Sequence, residues 1–303
     1  MRPSRPLAAA LAERALVLDG GLACRLEAQG CDLADDLWSA RLLAEDPAQI
    51  ESAHTAYVRA GAEVLITASY QATFEGFARR GAGPAEAAEL LALSVDLARR
   101  AGDAAPREVW VAASVGPYGA HLADGSEYRG AYGLTVGELE RFHRPRVEAL
   151  VAARPDVLAL ETVPDTDEAR ALLAATEGCG VPLWLSYTVA GGRTRAGQDL
   201  AQAFALAAGR DDVIAVGVNC CDPDEAASAA ALAVRTTGRP AVVYPNSGER
   251  WDGVAGRWAG AAAFDPHEAP RWAAAGARLI GGCCRVGPRG VAGLAAALGG
   301  DRP

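Results

Sequence analysis

The chain contains no lysine. All 29 basic residues are arginine, which together with the abundant alanine reads as genome composition rather than function. There is no basic run, and 29 basic against 38 acidic side chains leave a net charge of −9. Nucleic acid is therefore a poor partner. No apolar stretch approaches the ~20 residues a membrane helix needs, so a membrane partner is not expected either. The apolar residues from Leu7 to Leu11 follow Arg2 and Arg5 but stop at Glu13 and Arg14, too soon for an export signal. No CxxC pair occurs, although closed structural zinc sites commonly use them. No GxGxxG follows the first apolar run, where a dinucleotide-binding sheet would carry one. Seven cysteines is an odd count. It fits reduced, metal-binding or reactive thiols in the cytoplasm better than a disulfide framework.

What is present is a repeating pattern. The 303 residues are 50% hydrophobic, enough for a large core. Apolar strand-like runs at 15–18, 63–70, 109–116, 157–162, 183–188, 213–220, 241–247 and 278–283 alternate with alanine- and leucine-rich helical stretches. Strands apolar on both faces belong to a parallel sheet covered by helices. Eight such units predict an α/β fold, a closed (β/α)8 TIM-type barrel forming one domain over residues 1–303, with a short tail from Gly299. An open doubly wound sheet is the structural alternative. Polar residues collect just after the strands, where barrels build active sites: Asp19, Ser69-Tyr70-Gln71, Glu161, Asn219 and Asn246-Ser247. The glycine-rich insertion from Gly119 to Gly137, with Tyr128 and Tyr132, reads as either a lid or an ordinary surface excursion.

The chemistry concentrates at Arg278-Leu279-Ile280-Gly281-Gly282-Cys283-Cys284 and at Asn219-Cys220. Adjacent cysteines can grip one object only where a strand has ended and the backbone bends, and Gly281 and Gly282 suit a bend. Cys220, Cys283 and Cys284 make a soft three-thiolate set for zinc with a fourth position open. Such a site suits a thiol substrate, which zinc would hold as thiolate. Its excess negative charge favours alkyl transfer from a cationic onium donor. Asp19 and Glu161 can hold an ammonium group, and the amides of Gly20 and Gly21 a carboxylate. Helix capping or a barrel-end salt bridge is the alternative for both acids. Cys24, Cys31 and Cys179 read as incidental, Cys221 as a weaker ligand candidate, and His54, His121, His143 and His267 as surface or packing residues.

Six segments then match a known family. They are Asp19-Gly20-Gly21-Leu22-Ala23, Leu37-Trp38-Ser39-Ala40, Thr67-Ala68-Ser69-Tyr70-Gln71, Gly217-Val218-Asn219-Cys220, Tyr244-Pro245-Asn246-Ser247-Gly248-Glu249 and Gly281-Gly282-Cys283-Cys284. Over nearly its whole length the chain resembles the zinc-dependent homocysteine S-methyltransferases. That resemblance implies a (β/α)8 barrel, zinc on Cys220, Cys283 and Cys284, homocysteine as acceptor and methionine as product. It implies Asp19 and Glu161 as contacts to the homocysteine amino group, with Gly20, Gly21 and Asn219 in the substrate pocket. Ser69, Tyr70 and Gln71 would line the donor side, and Trp38 or Tyr70 would either face a sulfonium or pack in the core. The betaine-using branch resembles the chain less, having tyrosine where Thr162 stands and a long C-terminal arm. The expected donor is S-methylmethionine, or S-adenosylmethionine, and the expected state a monomer or small homo-oligomer. Another thiol or selenol acceptor, a betaine donor, and a non-catalytic homocysteine-binding barrel stay open as alternatives.

Overall fold

The computed structural model describes residues 3–252 and 257–299. Eight parallel strands form one sheet: β1 (Leu16–Val17), β2 (Val64–Ile66), β3 (Trp110–Val115), β4 (Val157–Val163), β5 (Leu183–Tyr187), β6 (Val213–Asn219), β7 (Ala241–Tyr244) and β8 (Ala277–Ile280). Neighbours in space are neighbours in sequence, and β8 pairs with β1 through Leu16↔Leu279 and Val17↔Ile280. The circle closes between β1 and β2. Leu18 bridges Val64, the amide of Asp19 donates to Val64 (3.0 Å) and that of Glu63 to Val17 (2.7 Å). A helix follows every strand, from Pro47–Arg59 after β1 to Pro288–Gly299 after β8. This is the expected (β/α)8 barrel, and the open sheet is excluded.

The continuous apolar runs are explained by two separate cores. Alternate strand residues point inward: Trp110 and Trp184 fill the barrel beside small partners such as Ala112, Ala159 and Ala215. Their neighbours point outward into a larger layer between sheet and helices, including Val111, Leu158, Leu185 and Val216. The N-terminal helix Leu7–Glu13 closes the lower end, with Leu7 and Leu11 buried against the interior cluster and the Trp110 indole donating to the Arg5 carbonyl (3.1 Å). At this end Arg14 makes a two-pronged ion pair with Glu63 (2.6 and 2.9 Å).

Most strand ladders are shorter than the apolar runs. β2 stops at Ile66, so Thr67 to Gln71 lie beyond it, and β7 stops at Tyr244, before Pro245. These polar ends of the runs turn over the mouth of the barrel instead of extending it. The helix Pro288–Gly299 ends where the tail was expected, and residues 300–303 lie outside the described residues. Among the described residues no helix is long and apolar enough to cross a membrane.

Candidate metal and thiol-binding site

Three cysteines meet at the C-terminal mouth of the barrel. Cys220 follows β6, and Cys283 and Cys284 follow β8. The sulfur separations are 2.9 Å for Cys220–Cys283, 3.7 Å for Cys220–Cys284 and 4.0 Å for Cys283–Cys284. Tetrahedral zinc with bonds of about 2.3 Å needs sulfurs about 3.8 Å apart. Two of the three pairs meet that spacing, and the third needs to open by under about 1 Å. The three sulfurs form the one group of metal-ligating side chains found among the described residues. The donor set therefore fits a soft divalent metal.

The loops that carry these thiols are tied to β7 and its continuation. The Cys220 amide donates to the Tyr244 carbonyl (3.2 Å), that of Cys283 to Pro245 (2.7 Å), and that of Cys284 to the Asn246 side chain (3.1 Å). The bend at Gly281-Gly282 does not use glycine's special backbone angles, since neither residue has positive φ. Close approach is the reason. A Cβ on Gly281 would stand 2.5 Å from the Leu18 Cβ, and one on Gly282 2.2 Å from Val286. The left-handed conformation falls instead on Cys220 itself (φ 50°) and on Arg285 (φ 66°), which follows Cys284.

Asp19 is buried beside this mouth. Its Oδ2 accepts from the Ile66 amide (2.9 Å), while Oδ1 is buried with no partner. Burial, with the Glu161 charge adding to it, pushes the carboxyl well above the usual range. Glu161 accepts from the Ser114 hydroxyl and from Tyr244 (2.9 Å), and burial pushes it up to about 7. Among the described residues neither acid caps a helix or pairs with arginine.

Other expected site residues take supporting roles. The Asn219 carboxamide oxygen accepts from the Thr162 amide (2.7 Å) and Ser186 (2.9 Å), and its nitrogen donates to the Thr162 hydroxyl (2.7 Å). This clamp holds Thr162, a β-branched residue, at φ 58°, directly after Glu161. Ser69 is fully buried and donates to the Ser114 carbonyl (2.8 Å). The Gly21 amide is occupied by the Val286 carbonyl (3.0 Å), so it does not wait for a carboxylate as the sequence suggested. Gly20 and Gly21 are needed for a different reason: a Cβ would lie 2.2 Å from the Val286 oxygen and 2.6 Å from the Cys283 oxygen. Tyr70 lies on the loop after β2, at the mouth of the barrel. Its ring lies against Gly116, where a Cβ would stand 2.6 Å from the ring, and burial, with the charges of Glu127, Cys220 and Glu161 adding to it, pushes its phenol well above the usual range. Trp38 begins the short helical turn Trp38–Arg41 at φ 50°, half-buried against the core.

Three expectations change. Cys24 is not incidental, because its sulfur accepts the Arg285 amide (3.1 Å) beside Cys284. His143 is no simple packing residue: fully buried, it accepts from Arg146 (2.6 Å) and donates to Glu168 (2.9 Å). The same Glu168 accepts from the Tyr118 amide and the Tyr132 hydroxyl (3.0 Å). It thus pins both flanks of the 119–137 insertion, which is not a loose excursion. That insertion brings the Tyr128 hydroxyl to 3.6 Å from the Cys220 sulfur. Cys221 is buried in the apolar layer and stands outside the triad.

The family model for homocysteine S-methyltransferases matches residues 16–298. The chain belongs to that family. A homocysteine S-methyltransferase of Escherichia coli K12 is 46% identical over 98% of this chain and 99% of its own length. A Bacillus subtilis relative of the same description, YbgG, is 43% identical, covering 93% of each chain. The metallated form of the E. coli homocysteine methyltransferase MmuM superposes with a TM-score of 0.87 at 44% identity, covering 96% of this chain and 99% of that one. As a homocysteine S-methyltransferase the protein is a methyl-transferring enzyme, and its cysteine triad is a site that can bind metal.

Proposed function

We propose that the enzyme moves a methyl group from a sulfonium donor, S-methyl-L-methionine or S-adenosylmethionine, to L-homocysteine, and that Cys220, Cys283 and Cys284 hold zinc for this purpose. The observation that carries the reading is the convergence of three sulfurs beside a buried carboxylate oxygen without a partner. Bound zinc would keep the homocysteine sulfur deprotonated at neutral pH, where a free thiol is only a few per cent thiolate. The remaining work falls to the chain. Oδ1 of Asp19 accepts one N–H bond from the substrate ammonium, and Glu161, already oriented by Ser114 and Tyr244, accepts another. The Asn219–Thr162 clamp keeps Glu161 aimed at the mouth. In the transfer a bond forms between the homocysteine sulfur and the methyl carbon, and the carbon–sulfonium bond breaks. Its electron pair returns to the departing sulfur, which leaves as a neutral thioether. No general acid is required, which agrees with the lack of any histidine at the site.

The direct test supplies zinc-loaded protein with homocysteine and, separately, S-methylmethionine, S-adenosylmethionine, betaine or methyltetrahydrofolate, and quantifies methionine. Methionine from the sulfonium donors alone is the expected result. Methionine from betaine instead would overturn the donor reading, and none from any donor would overturn the acceptor reading. Glu161→Gln loses a charge-assisted bond worth roughly 1.5–3 kcal/mol. The homocysteine KM should rise about 10- to 100-fold at unchanged metal content. Unaltered kinetics would remove Glu161 from the substrate contacts.

A further inference from the structure

We infer that Glu127 is the counter-charge for the methyl donor, and that with the phenols of Tyr70 and Tyr128 it forms a subsite for an onium cation opposite Cys220. The inference rests on the sulfonium-donor reading above and names the residues that would recognise that donor.

Glu127 sits in the short helical turn Ser126–Tyr128, next in sequence to the tyrosine whose hydroxyl lies 3.6 Å from Cys220. Its Oε2 is buried with no hydrogen-bond partner, and no ion pair involves its carboxylate among the described residues. A carboxylate oxygen taken from water without a partner disfavours the charged form, so the group either takes up a proton or gains from a bound cation. Among the described residues no cation pairs with it. The charges acting on Glu127 are Cys220 and Asp124, both of its own sign, and the neighbouring guanidinium of Arg195 lies over the Tyr128 ring at 5.5 Å. Burial, only partly offset by the bond from its own backbone amide and reinforced by Cys220, pushes the Glu127 carboxyl up to about 7, which a bound cation would reverse.

The surroundings select the kind of cation. Tyr70 lies close enough for the Glu127 charge to act on its phenol, and Tyr128 connects Glu127 to the thiols. Carboxylate, phenols and thiolate together suit a soft, weakly hydrated onium group better than a hydrated metal ion, and the Arg195 guanidinium over one face of the Tyr128 ring shows that the ring accepts a cation of this kind. The placement is also firm. A Cβ on Gly119 would lie 2.3 Å from the Glu127 amide, so the turn is pressed against the helix Tyr118–Leu122. On the other side Asp165 accepts from the Ala131 amide (2.9 Å), and Glu168 holds Tyr118 and Tyr132. The carboxylate is thus fixed between two anchored flanks and does not ride on a free loop.

The test compares wild type, Glu127→Gln and Glu127→Asp, each zinc-loaded. Donor affinity is measured by calorimetry with S-methylmethionine alone, and the two KM values by steady-state methionine formation. Glu127→Gln should weaken donor binding and raise the donor KM about 10- to 100-fold, with the homocysteine KM within about threefold and metal content unchanged. Glu127→Asp should recover most of the donor affinity. Unchanged donor affinity in Glu127→Gln overturns the inference, as does an equal loss for both substrates, which would mark a purely structural role. If wild type uses no sulfonium donor at all, the donor reading itself has failed. If wild type uses one and Glu127→Gln does so equally well, only the subsite has failed.

Discussion

Cys283→Ser should leave the protein folded, strip it of metal and abolish methyl transfer. Zinc binding by four-ligand structural sites is worth about 10–16 kcal/mol, so one ligand carries roughly 3–4 kcal/mol, or a factor of about 10²–10³ in affinity. A serine oxygen is a harder and far less acidic donor than a thiol and replaces little of this. The fold has no comparable dependence on the site. The Cys283 amide keeps its bond to Pro245, and both hydrophobic layers lie elsewhere. Metal content by elemental analysis should fall from about one per chain to near zero, while circular dichroism stays that of the wild type. Chelation of the wild-type protein should do the same, reversibly. Loss of the fold on chelation would make the metal structural. A metal-free Cys283→Ser protein with full activity would remove the thiolate site from the reaction.

Gly217→Ala should be the most destabilising single-methyl change in the barrel. Positions 215, 217 and 219 on β6 face inward, and Gly217 pairs with Val242 on β7. A Cβ there would lie 1.9 Å from the Val242 carbonyl oxygen, 2.8 Å from its carbon and 2.9 Å from its nitrogen. These are backbone atoms of a central strand, so no side chain can rotate aside. Overpacking of this kind costs roughly 3 kcal/mol. At this chain length that corresponds to melting about 5 °C lower. Because Asn219 ends the same strand and Cys220 follows it directly, metal affinity should fall with it. Gly137→Ala provides the contrast. It lies exposed near the start of the helix Val136–Ala152 with only an arginine tip at 3.6 Å, and should stabilise by about 0.5–1 kcal/mol. Equal melting temperatures for Gly217→Ala and wild type would mean that β6 and β7 separate more easily than the ladder implies.

The repeating architecture was legible in the chain because parallel strands are buried on both faces. Each therefore writes an uninterrupted apolar run, and the polar residue that follows marks the mouth of the barrel. The candidate ligands were legible for a related reason: cysteines at the ends of such runs have one place to go. Local pattern was silent about what depends on contact between distant segments. Cys220 and Cys283 are 63 residues apart, and their meeting depends on β7 lying between β6 and β8. Asn219 looks like a substrate contact in sequence, yet the fold turns it toward Thr162 to hold a conformation that Thr162 would not choose alone. Gly281 and Gly282 suggest backbone freedom, whereas the structure needs them for clearance against Leu18 and Val286. Glu127 had no sequence signature at all, being one acid among 38 acidic residues. Periodicity and composition determined the barrel and its thiols, because burial acts on every residue of a strand. Tertiary structure alone decided which carboxylates stand unpaired beside those thiols, because pairing is a property of neighbours in space.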